Sequence, residues 1–308
     1  MIVGGGSIGL VLAAMLAKTG NDIWLSVRRE KQKEAIINRG IRVYDAENSA
    51  IAGPVHVRRI VSRQELDELN MFFDIVIFAT KSYDLHEAIH THRKLISRDT
   101  IVVGVQNGVS HLETLDKAFA DNPIAISIIS WGATRKNDAD VCLCGEGDIR
   151  VGIYRGNPIA SRAVARLFSS AGFRVVEVDD VLYEVWMKNC VNAALNPLTA
   201  MLRVPNGCVL SESRLSNITY NVVQECVKAA RMNDVKLDVD MVWKRFTEIV
   251  SKTASNYSSM LQDVMAGRRT EVDSILGPVC HTTGKGISCL LYQMIKAWEK
   301  CRESSNEK

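Results

Sequence analysis

The stretch "VGGGSIG", residues 3–9, decides the fold of the first part of the chain, because its glycines are spaced as G-x-G-x-x-G. An apolar run, "SIGLVLAAMLAKTG" (7–20), follows directly, and the strand-like run "DIWLSV" (22–27) comes next. A strand, a glycine turn, a helix and a second strand in this order form a binding unit for a dinucleotide. The glycine spacing alone is a weak signal, and the helix and strand that follow make it specific.

Each residue of the glycine turn has a predicted task. Gly4 allows the tight turn, Gly6 lets the backbone approach a pyrophosphate, and Gly9 lets the helix pack closely on the strand. Ser7 and Ile8 open the helix, whose free N–H groups and dipole favour an anion. We therefore expect these five residues to bind the phosphates of a dinucleotide.

Strand-like runs alternate with helical runs over roughly the first 180 residues, which predicts a parallel α/β sheet. Later examples are "FDIVIFAT" (73–80) and "TIVVGVQNG" (100–108). The first strand has only residues 1–3, whereas strands usually have about 5–6 residues, so we expect its natural start to lie slightly upstream.

The end of this region has clear turn and helix signals. The runs "DVCLCGEG" (140–147) and "DIRVGIY" (148–154) predict a hairpin whose turn contains glycines. The run "PIASRAVARLFSSAG" (158–172) begins with proline and ends with glycine, which is typical of a helix. The last strand signal is "RVVEVDD" (174–180), so we place a domain boundary near residue 180.

Helical patterns fill the rest of the chain, as in "LSNITYNVVQECVKAARMN" (215–233) and "DVDMVWKRFTEIVSKTA" (238–254). The length of 308 residues suits two domains of roughly 150 residues each. We predict an α/β domain of the Rossmann type that binds a dinucleotide at 1–180. An all-helical domain is expected at 181–308.

Composition excludes several classes of function. The net charge is only +3 and the basic runs are short, so we expect no nucleic-acid partner. The run "IGLVLAAML" (8–16) is too short to span a bilayer, which takes about 20 residues, so no membrane association is expected. The eight cysteines form no C-x-x-C pair, which argues against a metal site. Because the sequence shows no secretory signal, we expect reduced thiols in the cytoplasm.

The end of the second strand predicts which dinucleotide binds. A site that prefers NAD usually has an acidic residue there, whereas this chain has Ser26 followed by Arg28 and Arg29. A guanidinium matches a 2′-phosphate in charge and in forked geometry. We therefore predict NADPH, bound through Arg28, and surface arginines without a ligand are the alternative.

One stripe of the segment "WMKNCVNAALNPLTAML" (186–202) is polar although the segment is otherwise apolar. Lys188, Asn192 and Asn196 recur at a spacing of four, which puts them on one face of a helix. An amine buried without a partner costs several kcal/mol, roughly, so such a lysine pairs, loses its proton or has a function. Carbonyl reduction by a nicotinamide needs a proton donor and polar groups that orient the substrate. From this segment alone, a structural role is as good an interpretation.

The motifs taken together resemble the ketopantoate reductase family (2-dehydropantoate 2-reductase) over essentially the whole chain. The resemblance rests on "GGGSIG", "ATKSYD" and "QNGV", and on the pairing of "KNCVNAALNPLTA" (188–200) with "SSMLQDVMAGRRTEVD" (258–273). It implies a Rossmann domain followed by a helical domain like the carboxyl-terminal domain of 6-phosphogluconate dehydrogenase.

The resemblance also implies roles for single residues. Lys188 would donate the proton, and Glu271 would hold the substrate hydroxyl in the catalytic centre and border the cofactor. The remaining implied residues are the substrate-binding Asn192, Asn196, Asn206 and Ser259 and the cofactor-binding Arg28, Lys81 and Asn107. His111 and His281 are weaker candidates for the acid.

The implied activity is the NADPH-dependent reduction of ketopantoate to D-pantoate, in pantothenate and coenzyme A biosynthesis. The partner would be a small 2-keto acid, and a homodimer is expected. One alternative is a reductase of another 2-keto acid, a D-2-hydroxyacid dehydrogenase of the mandelate type. A second is a non-catalytic NADP(H)-binding sensor, which would have little reason to keep Lys188, Asn192, Ser259 and Glu271 together.

Overall fold

The structure is a computed structural model that describes residues 1–306, with side chains described as far as residue 304. The described chain divides into two compact units. The α/β unit has residues 1–106 and 111–181, and the helical unit has residues 107–110 and 182–306. Residues 107–110 therefore belong to the helical unit, which a single boundary near residue 180 does not anticipate. Residues 307–308 of the predicted second domain lie outside the described residues.

The α/β unit contains two sheets. Its strands are β1 (Ile2–Val3), β2 (Trp24–Val27), β3 (Ile41–Tyr44), β4 (Ala50–Val55), β5 (Arg59–Ser62), β6 (Ile75–Phe78), β7 (Ile101–Gly104), β8 (Ile124–Ile129), β9 (Gly132–Arg135), β10 (Asp140–Cys144), β11 (Ile149–Arg155) and β12 (Val175–Glu177). The eight-stranded sheet has the order β12-β11-β8-β7-β6-β1-β2-β5, and the four-stranded sheet has the order β4-β3-β10-β9. The six strands from β8 to β5 along the larger sheet are parallel, which confirms the predicted Rossmann-like class.

Helices connect these strands. They are α1 (Ser7–Ala17), α2 (Glu30–Arg39), α3 (Leu85–His92), α4 (Ser110–Ala118) and α5 (Pro158–Ser170). Helix α1 is apolar on all sides because it contacts strands of both sheets, and Leu10, Leu12 and Leu16 are fully buried. In the described part of the chain, no helix has the length and apolar character that crossing a membrane requires.

The predicted hairpin of residues 140–154 is wrong. Strand β10 lies in the four-stranded sheet, antiparallel to β9 and parallel to β3, whereas β11 lies in the larger sheet beside β8 and β12. Gly145 does lie in a turn, with φ of +78°. The Gly145 turn therefore links two sheets, because β9 is the antiparallel neighbour of β10 in the smaller sheet.

The helical unit begins with the longest helix of the described chain. Its helices are α6 (Val181–Leu202), α7 (Cys208–Ser211), α8 (Ser213–Met232), α9 (Val239–Lys252), α10 (Ser259–Met265), α11 (Val272–Ile275), α12 (Gly277–Thr283) and α13 (Ile287–Asn306). The helical patterns at 215–233 and 238–254 are confirmed as α8 and α9. Asp238 explains where α9 begins, since its carboxylate accepts hydrogen bonds from the backbone N–H groups of Asp240 and Met241.

The expectation that all cysteines are reduced is wrong for two of them. Cys280 and Cys289 form a disulfide, with a Cα–Cα distance of 4.6 Å. Cys280 lies on α12 and Cys289 on α13, and the turn between the two helices brings the thiols together. Two cysteines nine residues apart carry no sequence signal for this pairing, because it depends on where the first helix ends.

Candidate active site

Two glycines of the first turn are required by the backbone around them. Gly4 has φ of +114°, and a Cβ there would lie 3.0 Å from the backbone of Ala79. A Cβ at Gly9 would lie 1.8 Å from the carbonyl oxygen of Gly4, which no packing can accommodate. At Gly6, by contrast, the nearest atom would be 3.8 Å away. The open space at Gly6 is what close approach of a ligand needs.

The structure explains why the middle residue of the turn, Gly5, is a glycine, which the sequence analysis did not address. A Cβ at Gly5 would lie 2.7 Å from Val27 and 2.8 Å from the amide of Gln32. Gln32 is buried and donates hydrogen bonds to the carbonyls of Gly5 (2.7 Å) and Asp138 (3.2 Å). It therefore fixes the glycine turn against the loop between β9 and β10. The signal available in the sequence was the uncharged amide of Gln32 among the charged residues that begin the helix "EKQKEAIINR".

The two arginines after β2 differ in their partners. Arg29 is paired with Asp138. Arg28 has a side chain that is 71% exposed and lies 3.9 Å from the carboxylate of Asp84. Ser26 is buried and hydrogen-bonded to Nε2 of His92 at 2.8 Å, so its hydroxyl is turned into the protein. Of these side chains, Arg28 is the one with room to take up a phosphate.

The predicted cofactor residues of the α/β unit lie at one edge of the sheet. Strands β1, β2 and β6 are adjacent and parallel, so their carboxyl ends meet there. Gly4, Arg28 and Lys81 each follow one of these ends. Ser7 begins α1, whose first turn has no acidic residue and no side-chain cap, and Ile8 packs on the core. An uncapped helix start and an exposed guanidinium that follow the ends of adjacent parallel strands fit a phosphorylated dinucleotide.

Lys188 lies on α6 in surroundings that make its charged form less stable than it is in water. Part of its surface is accessible, but the surrounding protein desolvates the ammonium. Desolvation by burial lowers its pKa from 10.5 to about 8, and the negative charge of Glu271 acts against this decrease. At neutral pH the ammonium is still the main form.

Glu271 is buried and stands immediately before α11. Its Oε2 accepts a hydrogen bond of 3.2 Å from the amide of Asn107. The helical unit thus brings together Glu271, Asn107 and Lys188, which come from three separate stretches of the chain. A cation, a carboxylate and an amide in one place can orient a small polar anion and move a proton.

The other predicted substrate residues differ in exposure. Asn192 is partly exposed on α6, whereas Asn196 is buried one turn further on. Asn206 is buried, and its amide donates to the hydroxyl of Thr253 at 3.2 Å while its Oδ1 accepts no hydrogen bond within the described chain. That oxygen could accept a hydrogen bond from a ligand.

Two neighbouring serines have different surroundings at the start of α10. Ser259 is exposed. Ser258, which precedes it, is buried, caps the helix through the N–H of Leu261 at 3.2 Å and bonds the hydroxyl of Thr199 on α6 at 2.7 Å. Ser258 therefore anchors the helix to α6, and Ser259 has a hydroxyl that a ligand can reach.

Sequence reasoning missed two residues that hold this site together. Ser274 donates to the carbonyl of Asn107 (2.9 Å) and accepts from the N–H of Val109 at its own carbonyl (3.0 Å). Asn189, beside Lys188, donates to the carbonyl of Ile275 at 3.2 Å. These bonds fix Asn107 and α6 on the helix that follows Glu271. A serine and an asparagine are too common for the sequence to single them out.

Carbonyl reduction by a nicotinamide needs a bound dinucleotide and a proton donor, and a glycine turn before a helix and a lysine of lowered pKa suit these two tasks. By fold and chemistry the protein is an NADP-dependent oxidoreductase. Residues 1–156 match the family described as "Ketopantoate reductase PanE/ApbA", and residues 180–298 match "Ketopantoate reductase PanE/ApbA C terminal". The chain belongs to the ketopantoate reductase family.

Individual relatives agree over nearly the whole length. The 2-dehydropantoate 2-reductase of Pyrococcus horikoshii is 30% identical over 97% of this chain and 96% of its own. A probable 2-dehydropantoate 2-reductase of Bacillus subtilis has a similar structure, with a TM-score of 0.79 and 28% identity over 96% and 99% of the two chains. A D-mandelate dehydrogenase with NADH and anilino(oxo)acetate has a TM-score of 0.88 over 98% and 99%, but at 24% identity it shows the fold alone.

Proposed function

We propose that the protein reduces 2-dehydropantoate to D-pantoate with NADPH, a step of pantothenate and coenzyme A biosynthesis. The observation that carries this proposal is the cluster of Lys188, Glu271 and Asn107, in which the Asn107 amide donates to the Glu271 carboxylate at 3.2 Å and the charge of that carboxylate acts on the Lys188 ammonium. In this proposal, residues 1–180 bind NADPH, and residues 181–308 hold the substrate and the proton donor. Family membership and the 30% identity to a 2-dehydropantoate 2-reductase support the substrate class.

Lys188 acts as the general acid. Bound NADPH supplies the hydride that adds to the keto carbon. As negative charge develops on the carbonyl oxygen, Lys188 donates a proton to it and becomes a neutral amine, which regains its proton from water. A pKa of about 8 makes Lys188 a stronger acid than an ordinary lysine while keeping it mostly protonated at neutral pH.

Glu271 provides selectivity. Its carboxylate accepts a hydrogen bond from the distal hydroxyl of the substrate, and Asn107 keeps it oriented. A buried carboxylate left without that hydroxyl is costly, so keto acids lacking it are disfavoured. Asn192, Asn196, Asn206 and Ser259 are proposed to bind the rest of the substrate.

A substrate panel tests the proposal. NADPH oxidation is measured with ketopantoate, pyruvate, 2-ketoisovalerate and benzoylformate. We expect the highest kcat/KM with ketopantoate. Highest turnover of benzoylformate would instead identify a mandelate-type dehydrogenase, and cofactor binding without turnover of any keto acid would identify a sensor.

The role of Glu271 is tested with a pair of substrates that differ only in the hydroxyl. We expect Glu271→Ala to lower kcat/KM for ketopantoate by ~10²-fold or more, because the site loses its partner for the hydroxyl. For 3,3-dimethyl-2-oxobutanoate, which lacks the hydroxyl, the loss should be much smaller. Equal losses on both substrates would give Glu271 a structural role.

The cofactor preference depends on Arg28. Removing a charged hydrogen bond to a phosphate costs about 1.5–3 kcal/mol, so we expect Arg28→Gln to lower kcat/KM for NADPH by roughly 10- to 100-fold. Turnover with NADH should hardly change. Arg29→Gln is the matched control, because Arg29 is already paired with Asp138. Equal or better use of NADH by the unmodified protein would overturn the preference for NADPH.

Lys81 and Asn107 are further residues that we propose to bind the cofactor, together with Gly4, Gly6, Ser7, Ile8, Gly9 and Glu271. A small 2-keto acid is the proposed partner, and the cytoplasm the proposed compartment. A homodimer stays a prediction, which sedimentation or light scattering can test.

A further inference from the structure

Glu271 lies between Thr270 and Asp273, two residues that contact another helix. Glu271 stands before the short helix α11 and has φ of −94° and ψ of 23°, outside a regular helix. The residue before it, Thr270, is fully buried, and the carboxylate of Asp273 lies two residues after it. Contacts made by Thr270 and Asp273 can therefore constrain the backbone on both sides of Glu271.

One face of α13 supplies these contacts. Tyr292, Lys296 and Glu299 are spaced by four and three residues, which places them on the same side of the helix. Glu299 Oε1 accepts hydrogen bonds from both the backbone N–H and the hydroxyl of Thr270, each at 2.8 Å. It thereby fixes the residue immediately before Glu271.

The same face fixes the residue two positions after Glu271. Lys296 Nζ donates to Asp273 Oδ2 at 2.9 Å and to Glu299 Oε2 at 3.1 Å. Tyr292 donates its hydroxyl to Asp273 Oδ1 at 2.9 Å. Lys296 thus joins the two attachment points into one network, which we call the α13 clamp (Tyr292, Lys296 and Glu299).

The burial of the Glu299 carboxylate requires a physical explanation. Glu299 is only 5% exposed, and a buried charge is tolerated when it is paired and hydrogen-bonded. Its three hydrogen bonds all go to Thr270 or to Lys296. An apolar residue would pack α13 at lower cost, but it would leave the N–H and the hydroxyl of Thr270 unsatisfied.

We propose that Glu299, held by Lys296, is a positioning residue that places Glu271 where it can contact the distal hydroxyl of the substrate. This inference rests on the proposed function. Misplacing a binding group by about 1 Å can cost as much as 10²-fold in rate. Loss of the clamp should therefore affect the substrate that uses Glu271 and spare the one that does not.

The test compares kcat/KM for ketopantoate with kcat/KM for 3,3-dimethyl-2-oxobutanoate. We expect Glu299→Ala to lower this ratio by about 10- to 100-fold. Glu299→Gln should retain most of it, because its amide oxygen can still accept from Thr270. In Lys296→Met, Glu299 still accepts both hydrogen bonds from Thr270. This variant is therefore used if Glu299→Ala does not fold, and we expect it to lower the ratio severalfold. An unchanged ratio in Glu299→Ala, or in Lys296→Met where it alone folds, overturns the proposal.

The matched control is Glu225→Gln. Glu225 accepts from the N–H groups of Ile287 and Ser288 at the other end of α13, so this variant weakens the same helix without touching the clamp. Its ratio should equal that of the unmodified protein, and a ratio as low as in Glu299→Ala would mean that general loosening of α13 is the cause. If the unmodified protein does not prefer ketopantoate, the proposed function fails. If it does, and Glu271→Ala removes the preference while Glu299→Ala keeps it, only the positioning role fails.

Discussion

Lys188 and Lys296 are both flanked by polar residues at helical spacing in the helical unit, yet their electrostatic surroundings are opposite. For Lys188, desolvation outweighs the attraction of Glu271 and lowers the pKa to about 8. For Lys296, desolvation also acts to lower the pKa, but the hydrogen bonds to Asp273 and Glu299 outweigh it and raise the pKa. A lysine with strong carboxylate partners is a fixed cation, whereas one with weaker compensation can give up its proton.

The largest expected difference concerns turnover. Lys188→Met should lower kcat by ~10²–10⁴-fold, the usual contribution of a general acid, while NADPH affinity stays nearly unchanged. Steady-state kinetics and a fluorescence titration with NADPH measure the two quantities. Lys228→Met, which changes an exposed lysine of α8, is the control. A Lys188→Met enzyme within a few fold of the unmodified protein would remove Lys188 from the chemistry.

The second expected difference between the two lysines is the sign of the stability change when each is replaced by methionine. A pKa of about 8 instead of 10.5 means that the charged form of Lys188 costs the fold about 3 kcal/mol. Part of the side chain is accessible, so we expect Lys188→Met to raise the free energy of unfolding at pH 7 by less than this. Lys296→Met should lower it, because Asp273 and Glu299 lose their shared cation.

The loss of stability expected for Lys296→Met depends on how exposed the ion pair between Lys296 and Asp273 is. The side chains of Lys296 and Asp273 are each 36% exposed, so solvent screens their pair, and we expect a loss of about 1–2 kcal/mol. Urea unfolding of both variants beside Lys228→Met gives the three free energies. Stability changes of the same sign for Lys188→Met and Lys296→Met would refute the electrostatic distinction between the two lysines.

The sequence indicates a candidate site around Lys188, but it does not indicate the electrostatics of that site. The spacing of Lys188, Asn192 and Asn196 is visible within one segment, and the segment around Glu271 carries a second specific motif. The pKa of Lys188 depends on how distant segments enclose the ammonium, which no local pattern encodes. For the same reason Ser274, which fixes Asn107 through hydrogen bonds, could not be recognised.

Lys296 could not be singled out at all. The run "YQMIKAWE" (292–299) reads as an ordinary amphipathic helix, and Thr270 and Asp273 lie on a different segment. The wrong prediction of a hairpin at residues 140–154 has the same origin. The glycine turn after β10 is a local feature of the sequence, but the sheet that each of the two strands joins is not. Parallel strands and helices were predictable in the first 180 residues because their signals are local, whereas partners across the fold were not.

The smallest expected differences concern pH. Below about pH 8 the folded protein carries the full cost of a charged Lys188. The cost disappears as pH rises from about 8 to 10.5, because the unfolded chain then binds more protons than the folded one. The stability gained in Lys188→Met should therefore shrink between pH 7 and pH 9.5. Over the same range, kcat/KM for reduction by the unmodified protein should fall as Lys188 loses its proton.

The effect of Lys296→Met on stability should not change over this pH range. Its pKa is raised, so its stabilising charge is fully present below 10.5 and is lost only as pH rises through a higher value. The pKa of Asp273 is lowered because its bonds to Lys296, Arg269 and Tyr292 outweigh desolvation, so the carboxylate is charged throughout this range. Unfolding of Lys296→Met and the unmodified protein at pH 7, 8 and 9.5 should therefore give a constant difference. A difference that shrinks like that of Lys188→Met would show that Lys296 is also poorly compensated, and the contrast between the two lysines would then be lost.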